Sequence, residues 1–557
     1  MSTKKKSVGY ARVCRLLVFF AVVTMIFVLI PVASAQAKFK SKADFCSKLG
    51  KTIQGSSGSQ MYCFGPQRNG PARPFTFSPV SPQELANVDA ANNAEDRTGS
   101  GAYIGGQSET SIAASGNYVV EAWNDGTGFF SACGAPMFKE ELTGYGFSTD
   151  GGKTFTDYGG LPNNGCIFGN RWSGDPSVGV YTNSGFTYFY ISSLYSTFFG
   201  LAVAVSACQV TGNTLACGQP TIAATSSCFG CGFSSLDKDY LVVDRANKRL
   251  YITFTDFNAP GAGQIEMAAC DLDSPMAPVC QNGSSFGQAY VNVQLGDTAN
   301  FCEYEGAYPA LDQSTGDIYV GFEYNWGTNL FGSFNCVTAI PTQVVVAKVP
   351  ASCLPDPDSG VSPCGPPFLT NSNIIISTDA TVIPGYNRFL MNDFPRIAVS
   401  DVYRTVSLVW NDARDRPLGD ILLQSYTLGG LIPVQSSPVR LNNDNGPGDM
   451  HAMPGLRNTS STGLLNVTWY DRRGTNAGTG KTNVFGAINV NPLTSSTPLN
   501  HRFTNVSTDW LATSSVIIPN FGDYTDNFVS ESNILYVSWS DGRTGVPQPE
   551  EGHVTVH

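Results

Sequence analysis

Helical patterns and histidines are both scarce in this sequence. Runs of helical period with capping residues are hard to find after residue 36, which excludes a mainly helical fold. The four histidines all fall within the last 107 residues, and no His-Glu-x-x-His stretch occurs, which excludes a zincin-type helix. His451 and His553 stand alone in the sequence and are interpreted as surface or packing residues.

Basic residues are in deficit, with 33 Lys and Arg against 44 Asp and Glu and a net charge of −11. Residues 1–35 hold five basic residues, an apolar run at 16–30 and a small-x-small site at 33–35. This pattern predicts a cleaved secretory signal peptide, with an uncleaved anchor as the alternative, although the run is short for a membrane span. Cleavage would leave a net charge of about −16, which argues against nucleic acid or an anionic membrane as partner. A secreted protein, extracellular or periplasmic, is expected.

Fourteen of the 15 cysteines follow the signal, and an even number in an exported protein indicates disulfides. Pairing of sequence neighbours predicts Cys46–Cys63, Cys133–Cys166, Cys208–Cys217, Cys228–Cys231, Cys270–Cys280, Cys302–Cys336 and Cys353–Cys364. Sequence alone leaves this connectivity open. The Cys-Phe-Gly-Cys stretch at 228–231 could instead be a redox or zinc motif, but zinc would need a second pair of ligands.

A repeated pattern organises most of the chain. The stretch Asp393–Arg414, DFPRIAVSDVYRTVSLVWNDAR, contains a carboxylate, a short apolar strand, a turn, and a second strand that ends in Trp-x-Asp before an arginine. Seven copies follow one another, with 16 to 22 residues from the opening acid to the end of the second strand. The pattern predicts an all-β protein, a β-propeller of seven four-stranded antiparallel blades, with six blades as the alternative. Its tryptophans are interpreted as packing between blades, with a sugar-stacking platform as the alternative.

Each copy opens with one acidic residue. Because connections in an up-and-down blade alternate between its two faces, these acids are expected at one mouth, facing a ligand: Glu109, Asp175, Asp239, Glu305, Asp393, Asp449 and Asp523. The pairs Asp412/Arg414, Asp471/Arg473 and Asp541/Arg543 are expected on the same face. Seven carboxylates need counter-charge because like charges raise one another's pKa. Hydrogen bonds from backbone and arginine groups would provide it, and a Ca²⁺ ion near the axis is the alternative; no cofactor is otherwise required.

Residues 36–100 are predicted to precede the propeller domain at 101–557. The first part is a small extension clipped by cysteines, and the polar, Gly-rich stretch after it is interpreted as a loop around the first blade. The longest interval between repeats, 326–388, forms another loop.

One further motif follows the first copy of the repeat. Ser148-Thr149-Asp150-Gly151-Gly152-Lys153-Thr154-Phe155 matches Ser-x-Asp-x-Gly-x-Thr-aromatic, in which the Asp accepts backbone N–H bonds and Gly adopts positive φ. Ser148, Asp150, Gly152, Thr154 and Phe155 are therefore expected to stabilise a hairpin without a catalytic role. Together with the Trp-x-Asp repeats, this motif resembles the sialidase-like (Asp-box, or BNR-repeat) β-propellers over most of residues 100–557.

The resemblance implies a propeller fold and a function related to glycans. In sialidases an arginine triad binds the substrate carboxylate, beside a tyrosine nucleophile with a glutamate and an acidic acid/base. Here the corresponding residues would be Arg414, Arg473 and Arg543, then Tyr470 or Tyr524, Glu305, and Asp393 or Asp125. The chain departs from that family because it has no Arg-Ile-Pro motif ahead of the first blade, one intact box, and seven repeats where sialidases have six blades.

The favoured function is binding of a glycan or glycoprotein by the acidic, arginine-bearing face. An exo-glycosidase of sialidase type is one alternative, and it would need two carboxyl groups, or a Tyr–Glu pair, about 5–10 Å apart in a deep pocket. A binding module would have a shallow mouth without strongly shifted pKa values. A structural cell-surface or protein-interaction propeller is the other alternative, with a plugged axis.

Overall fold

The computed structural model describes residues 41–49, 55–65, 87–92, 105–129, 141–226, 233–261, 263–280, 290–325, 342–358, 364–374, 383–388, 394–446, 448–474 and 480–557. The predicted signal peptide lies outside these residues. The interval 326–388, predicted to be a loop, is described in part and contains two paired strands, Gln343–Val349 and Leu369–Ile374, so that prediction is wrong there. In the described part of the chain no helix is long and apolar enough to cross a membrane.

Two short helices form the described part of the extension, which corrects the expectation that the chain lacks helices after residue 36. They are α1 (Lys42–Lys48) and α2 (Ser57–Phe64). Ser41 and Ser56 cap them, because each hydroxyl accepts a hydrogen bond from the backbone N–H three residues later. The disulfide Cys46–Cys63 joins the two helices.

The remaining described strands form antiparallel meanders in chain order, starting with β1 (Val88–Asp89). Units 1 and 2 contain β2 (Gln107–Ser115), β3 (Tyr118–Asp125), β4 (Thr143–Ser148) and β5 (Thr156–Gly160), then β6 (Arg171–Trp172), β7 (Ser177–Asn183), β8 (Phe186–Thr197), β9 (Gly200–Thr211), β10 (Thr214–Cys217) and β11 (Thr221–Ala224). Units 3 and 4 contain β12 (Ser234–Asp244), β13 (Arg249–Asp256), β14 (Gln264–Asp271) and β15 (Tyr290–Gln294), then β16 (Tyr304–Leu311), β17 (Ile318–Tyr324), β18 (Gln343–Val349) and β19 (Leu369–Ile374).

Three more units complete the set. Units 5 and 6 contain β20 (Arg396–Ser400), β21 (Thr405–Asp412), β22 (Asp420–Thr427) and β23 (Val439–Arg440), then β24 (His451–Asn458), β25 (Leu465–Asp471), β26 (Lys481–Val490), β27 (His501–Arg502) and β28 (Thr508–Asp509). Unit 7 contains β29 (Asp526–Val529), β30 (Ile534–Asp541) and β31 (Gln548–Thr555). A short parallel pairing of β9 with β12 links the sheets of units 2 and 3.

The first strands of the units lie side by side around a ring. β2, β7, β12, β16, β20, β24 and β29 are neighbours in chain order, and β29 also lies beside β2. The chain is thus all-β with the strand arrangement of a propeller, in which the first strands surround the axis.

The ring is closed by a strand that the sequence did not predict. Val88 and Asp89 of β1 pair with Glu551 and Glu550 of β31 and add the outer strand of unit 7. The interpretation of this stretch as a loop around the first blade is therefore wrong at β1, although Asn92 also donates its backbone N–H to Asp157 of unit 1.

Apolar layers between neighbouring units form the core. Trp410, Trp469 and Trp539 are fully buried, and each packs among residues of its own and an adjoining unit. The packing interpretation of these tryptophans agrees with this burial, and none of the three has an exposed face on which a sugar could stack.

Four of the predicted disulfides are formed: Cys46–Cys63, Cys208–Cys217, Cys270–Cys280 and Cys353–Cys364. Cys166 and Cys302 are also disulfide-bonded, but their predicted partners Cys133 and Cys336 lie outside the described residues. Cys228 and Cys231 lie outside them as well. Several disulfides in one chain are typical of extracellular or secreted proteins.

The turn between β4 and β5 has the predicted hydrogen bonds. Asp150 accepts from the Thr154 backbone N–H at 3.0 Å, from the Thr154 hydroxyl at 2.6 Å and from the Ser148 hydroxyl at 2.8 Å. Gly152 has a φ of 87°, and a Cβ there would lie 3.0 Å from a Glu551 carboxylate oxygen. Phe155 packs against the core between units 1 and 7.

Candidate functional site

Backbone bulges near the start of the first strands determine which side chains meet at the axis. The ladder of β2 with β3 shifts register between Ser108 and Ser111, and that of β12 with β13 shifts between Asp237 and Tyr240. The residue at the bulge has positive φ in both, 54° for Glu109 and 52° for Lys238. A bulge redirects a side chain relative to the regular alternation of a strand. Lys238 is therefore the structural counterpart of Glu109.

The acids that the sequence aligned do not all occupy this position. Asp239 lies one residue after the bulge of its unit, whereas Glu305 lies one residue before its own, at Gly306 with a φ of 72°. In unit 6 the corresponding residue is Met453, four residues beyond Asp449. The predicted ring of equivalent carboxylates is consequently irregular.

An axial acidic cluster forms around one buried lysine. We define it as Glu109, Asp175, Asp237, Lys238 and Asp523. The Lys238 Nζ lies 2.7 Å from an Asp523 oxygen, 3.4 Å from Glu109 and 3.7 Å from Asp175, and none of these side chains is more than 1% exposed. Arg388 adds a second ion pair to Asp523. The ammonium group supplies counter-charge that the sequence had assigned to arginines, backbone or Ca²⁺; the Ca²⁺ prediction itself stays untested.

The carboxyl groups of the cluster are unusual acids. Burial, followed by the charge of Asp175, raises the pKa of Glu109 to about 7, although Lys238 lowers it. Burial also raises the pKa of Asp175. For Lys238, burial lowers the pKa, but the neighbouring carboxylates, Asp523 first, outweigh it and hold the pKa well above its ordinary value. The lysine therefore stays charged while Glu109 can hold a proton near neutral pH.

The N-terminal end of α2 covers this cluster. The Ser57 hydroxyl donates to Glu109 at 2.8 Å, and the Gly58 N–H donates to Asp175 at 3.1 Å. Asp237 accepts from the Ser56 N–H at 2.8 Å and from the Ser59 hydroxyl at 2.7 Å. The positive end of the helix dipole favours carboxylates at this place. In this structure the extension closes the acidic end of the axis.

The other predicted ring acids have separate surroundings. Asp239 accepts from the Ser192 hydroxyl, and Asp449 accepts from the N–H groups of Gly446 and Gly474 at 2.8 and 3.0 Å. Glu305 is buried, and neither of its carboxylate oxygens has a hydrogen-bond partner in the described part of the chain. Burial, followed by Glu303, raises its pKa well above the ordinary value. Asp393 lies outside the described residues.

Arg414, Arg473 and Arg543, which were predicted to bind a substrate carboxylate, each pair with an aspartate of their own unit. In unit 6, Asp471 accepts from Trp469 Nε1 at 2.8 Å, from the Arg473 backbone N–H at 2.8 Å and from its guanidinium at 2.7 Å. The same contacts join Trp410, Asp412 and Arg414 in unit 5, and Trp539, Asp541 and Arg543 in unit 7. This arrangement braces the end of a second strand, and a role as a substrate clamp stays a prediction.

The predicted tyrosines and Asp125 are also engaged. Tyr470 donates its hydroxyl to the Ser540 carbonyl at 2.9 Å, and Tyr524 donates to the Pro176 carbonyl at 3.1 Å. Asp125 accepts from the Thr127 N–H at 2.8 Å. Among the described residues neither tyrosine hydroxyl has a hydrogen bond to a base, so the tyrosine nucleophile stays a prediction.

A cavity of about 380 Å³ lies further along the same first strands. Its walls come from units 2 to 7 and include Val178, Leu241, Ala310, Ile397 and Val529. The axis is thus filled at the acidic cluster and hollow beyond it.

Comparison with known proteins gives a coarse likeness only. No protein-family model matches the chain, and no curated protein matches it. A Penicillium chrysogenum α-L-arabinanase complexed with arabinobiose is 11% identical over 70% of this chain and 94% of its own, with a TM-score of 0.39. A Fusarium graminearum GH93 α-L-arabinofuranosidase with arabinobiose is 11% identical over 85% of this chain and 98% of its own, with a TM-score of 0.40. A Trypanosoma rangeli sialidase complexed with the inhibitor DANA is 10% identical over 70% of this chain and 58% of its own, with a TM-score of 0.33. At these TM-scores the likeness assigns neither an activity nor a substrate to this chain.

Sequence reasoning missed Lys238 and the serines of α2. Lys238 stands between two acids, Asp237 and Asp239, but only the bulge directs it into the cluster. The Ser-rich stretch at 56–59 was a cap signal before a short helix. Its contacts with three different units, however, depend on tertiary structure.

Proposed function

We propose that this protein is an exported carbohydrate-binding propeller, that its ligand-binding groups are the carboxylates of the axial acidic cluster, and that α2 occupies this site as an internal ligand. The observation that supports the proposal is the pair of serine hydroxyls on Glu109 and Asp237, at 2.8 and 2.7 Å. Sugar hydroxyls offer the same donors, and hydrogen bonds to a charged acceptor are stronger than neutral ones.

Charge narrows the ligand class. The cluster has four carboxyl groups against the ammonium of Lys238 and the guanidinium of Arg388. An anionic sugar would add repulsion to this set, whereas the hydroxyls of a neutral glycan, free or on a glycoprotein, would only donate to it. A neutral glycan is therefore favoured over a sialoside.

A second candidate function is glycoside hydrolysis at the same place. It is favoured by Glu109, whose pKa is raised to about 7 by burial. A carboxyl group that keeps its proton near neutral pH can act as the general acid that protonates a leaving group.

The proposal can be tested with Gly58→Ala. A Cβ at Gly58 would lie 2.4 Å from the Ser173 carbonyl oxygen and 3.0 Å from an Asp175 oxygen, so the methyl group would push α2 away from the cluster. We expect at least about tenfold tighter binding to neutral glycans on an array than for the wild-type protein, which corresponds to the loss of roughly one hydrogen bond to a charged group. Glu109→Gln in the Gly58→Ala background should remove the gain.

Gly365→Ala is the matched control, because a Cβ there meets nothing within 4 Å. Folded Gly58→Ala protein that binds no neutral glycan would refute the proposal. Hydrolysis of aryl glycosides, including an aryl sialoside, with and without Ca²⁺, separates binding from catalysis: turnover lost in Glu109→Gln would support the hydrolase, and turnover of the sialoside alone would contradict the preference for neutral sugars.

A further inference from the structure

A histidine and two aspartates meet where units 5 and 6 join. His451 begins β24 and is paired in the ladder with Asp471 at the end of β25. Its Nε2 lies 3.1 Å from an Asp444 oxygen and 3.5 Å from an Asp471 oxygen. The three ligand atoms all lie within 4.8 Å of one another. His451 and Asp471 are fully buried, whereas the Asp444 side chain is 10% exposed, so the group is accessible from one side.

The hydrogen bonds of His451 determine what its Nε2 can do. Nδ1 lies 2.9 Å from the Gly419 carbonyl oxygen, which can only accept, and 3.5 Å from Arg416 Nη2, which can only donate. The shorter contact favours a proton on Nδ1. Nε2 is buried and makes no hydrogen bond of good geometry in the described part of the chain, although an Asp444 oxygen lies 3.1 Å from it. A bound cation would give this buried nitrogen a well-directed partner.

The distances from His451 Nε2 to the two aspartate oxygens are close to those between ligands of a single metal ion. Zinc bonds of 2.0–2.2 Å to nitrogen and oxygen place two tetrahedral ligand atoms about 3.3–3.6 Å apart. The two separations from Nε2 lie close to this interval. A metal-bound histidine typically donates its other ring N–H to a backbone carbonyl, which fixes the tautomer, as Gly419 does here.

The surrounding charges leave room for a cation. Arg416 pairs with Asp420 and Asp444, and Arg473 pairs with Asp471. Three carboxylates therefore meet two guanidinium groups. With a neutral imidazole, these three carboxylates and two guanidinium groups carry a net charge of −1, so a bound cation would be attracted to the group.

Outer contacts hold the ligand oxygens in place. Asn442 donates to Asp444 Oδ1 at 3.0 Å, and Trp469 Nε1 donates to Asp471 Oδ2 at 2.8 Å. Asp412 and Asp541 receive the same tryptophan contact in units 5 and 7. Unit 6 differs in that His451 faces its aspartate.

We propose that His451 Nε2, Asp444 and Asp471 bind a divalent transition metal, Zn²⁺ best by ligand type. The fourth position is open on the Asp444 side. The ion joins the segment after β23 to the two innermost strands of unit 6, independently of the axial acidic cluster. The interpretation of His451 as an ordinary packing residue is thereby replaced.

The site is tested by metal content and Co²⁺ spectroscopy on the full mature chain. After treatment with a chelator, the protein is incubated with Zn²⁺, desalted and analysed, and we expect about one equivalent of Zn²⁺, the number of sites proposed. Co²⁺ added to the stripped protein should give visible absorption bands of a four- or five-coordinate ion, and Zn²⁺ should displace it. Asp444→Asn and His451→Gln should each weaken binding by at least about a hundredfold, beyond the usual effect of removing an outer contact.

His553→Gln is the matched control, because His553 also faces a carboxylate, Glu551, at 3.2 Å, but within the described residues it belongs to no group of three possible metal ligands. It should keep the metal. Wild-type protein that retains no Zn²⁺ and gives no Co²⁺ spectrum would overturn the proposal and leave His451 as a packing residue beside Asp444. Retention by both Asp444→Asn and His451→Gln would overturn it equally. Asp444 is partly exposed, so Asp444→Asn keeps the test valid if His451→Gln does not fold.

Discussion

Lys238 shows how much one buried side chain can contribute. It has no exposed surface, and its Nζ contacts carboxylates from units 1, 2 and 7. Lys238→Met would keep most of the volume but leave these carboxylates without a cation. We expect the free energy of unfolding to fall by about 3–5 kcal/mol at pH 8, the usual cost of breaking a buried ion pair. Denaturant titration of the variant and the wild type measures the difference.

The loss of unfolding free energy in Lys238→Met should be smaller at low pH than at high pH. The pKa of Glu109 in the folded protein is about 7, above its ordinary value of 4.5, so the proton is held more tightly in the folded state. The stability that this proton contributes is complete below about pH 4.5 and is lost as pH rises through 7. At pH 5 Glu109 is protonated with or without the lysine, and the deficit of Lys238→Met should shrink. An equal deficit at pH 5 and pH 8 would contradict this account. Lys248→Met, which removes an exposed partner of Asp273, is the control.

At the scale of single elements, strands were predictable and short helices were not. The predicted ends of the second strands at Asp125, Asp256 and Asp412 coincide with the ends of β3, β13 and β21, because apolar alternation extends up to each aspartate. In unit 2 the strand β8 continues to Thr197, past the predicted Ser193. Helices of seven and eight residues are too short to show a period, and isolated helices of this length are marginal.

The disulfide between the two helices should therefore control their order. Its cysteines are 17 residues apart, and a loop of this length corresponds to about 3 kcal/mol of chain entropy in the unfolded state. In Cys46→Ser/Cys63→Ser we expect faster amide hydrogen exchange at 41–65, with unchanged exchange in β12 and β13. Mass spectrometry of peptides from both regions measures this.

Cys208→Ser/Cys217→Ser is the matched control, since that disulfide joins paired strands of unit 2 and should leave exchange at 41–65 unaltered. Unchanged exchange at 41–65 without Cys46–Cys63 would mean that apolar contacts alone hold the extension, such as those of Phe45 and Leu49 with unit 3.

For the whole molecule, the repeat predicted an all-β arrangement of successive units but not how the ring closes or what covers it. Seven copies of one strand pattern can be counted in the sequence, and the described strands form six sheets, one of which contains units 2 and 3. Closure depends on β1, two residues without any pattern, and coverage depends on serines whose partners lie 52 to 181 positions away. Bulges also set which acids meet, because each shifts the side-chain alternation of its strand. Such features depend on long-range geometry that local patterns do not record.

Ring closure gives a prediction for the molecule as a whole. Asn87, just before β1, donates to the Phe503 carbonyl at 3.0 Å and accepts from the Asn505 N–H at 2.7 Å and from Arg543 at 3.2 Å. It thus ties the closing strand to units 6 and 7. Asn87→Ala would leave these groups unpaired and should lower the free energy of unfolding by about 2–3 kcal/mol, at about 1 kcal/mol for each hydrogen bond.

The part of the molecule in which Asn87→Ala loses hydrogen-exchange protection shows whether the substitution releases β1 or destabilises the whole fold. In Asn87→Ala, hydrogen exchange should rise first in β31 and β30, because β1 is the outer neighbour of β31 and its release exposes that edge. Units 3 and 4, on the other side of the ring, should keep their protection. Asn247→Ala, which removes an amide bound to Asp244 of its own turn, is the control and should leave β31 unchanged. If exchange in Asn87→Ala rose equally in all seven units, unfolding would be global and closure by β1 would not be the weakest step; a local rise would identify β1 as the element whose docking completes the ring.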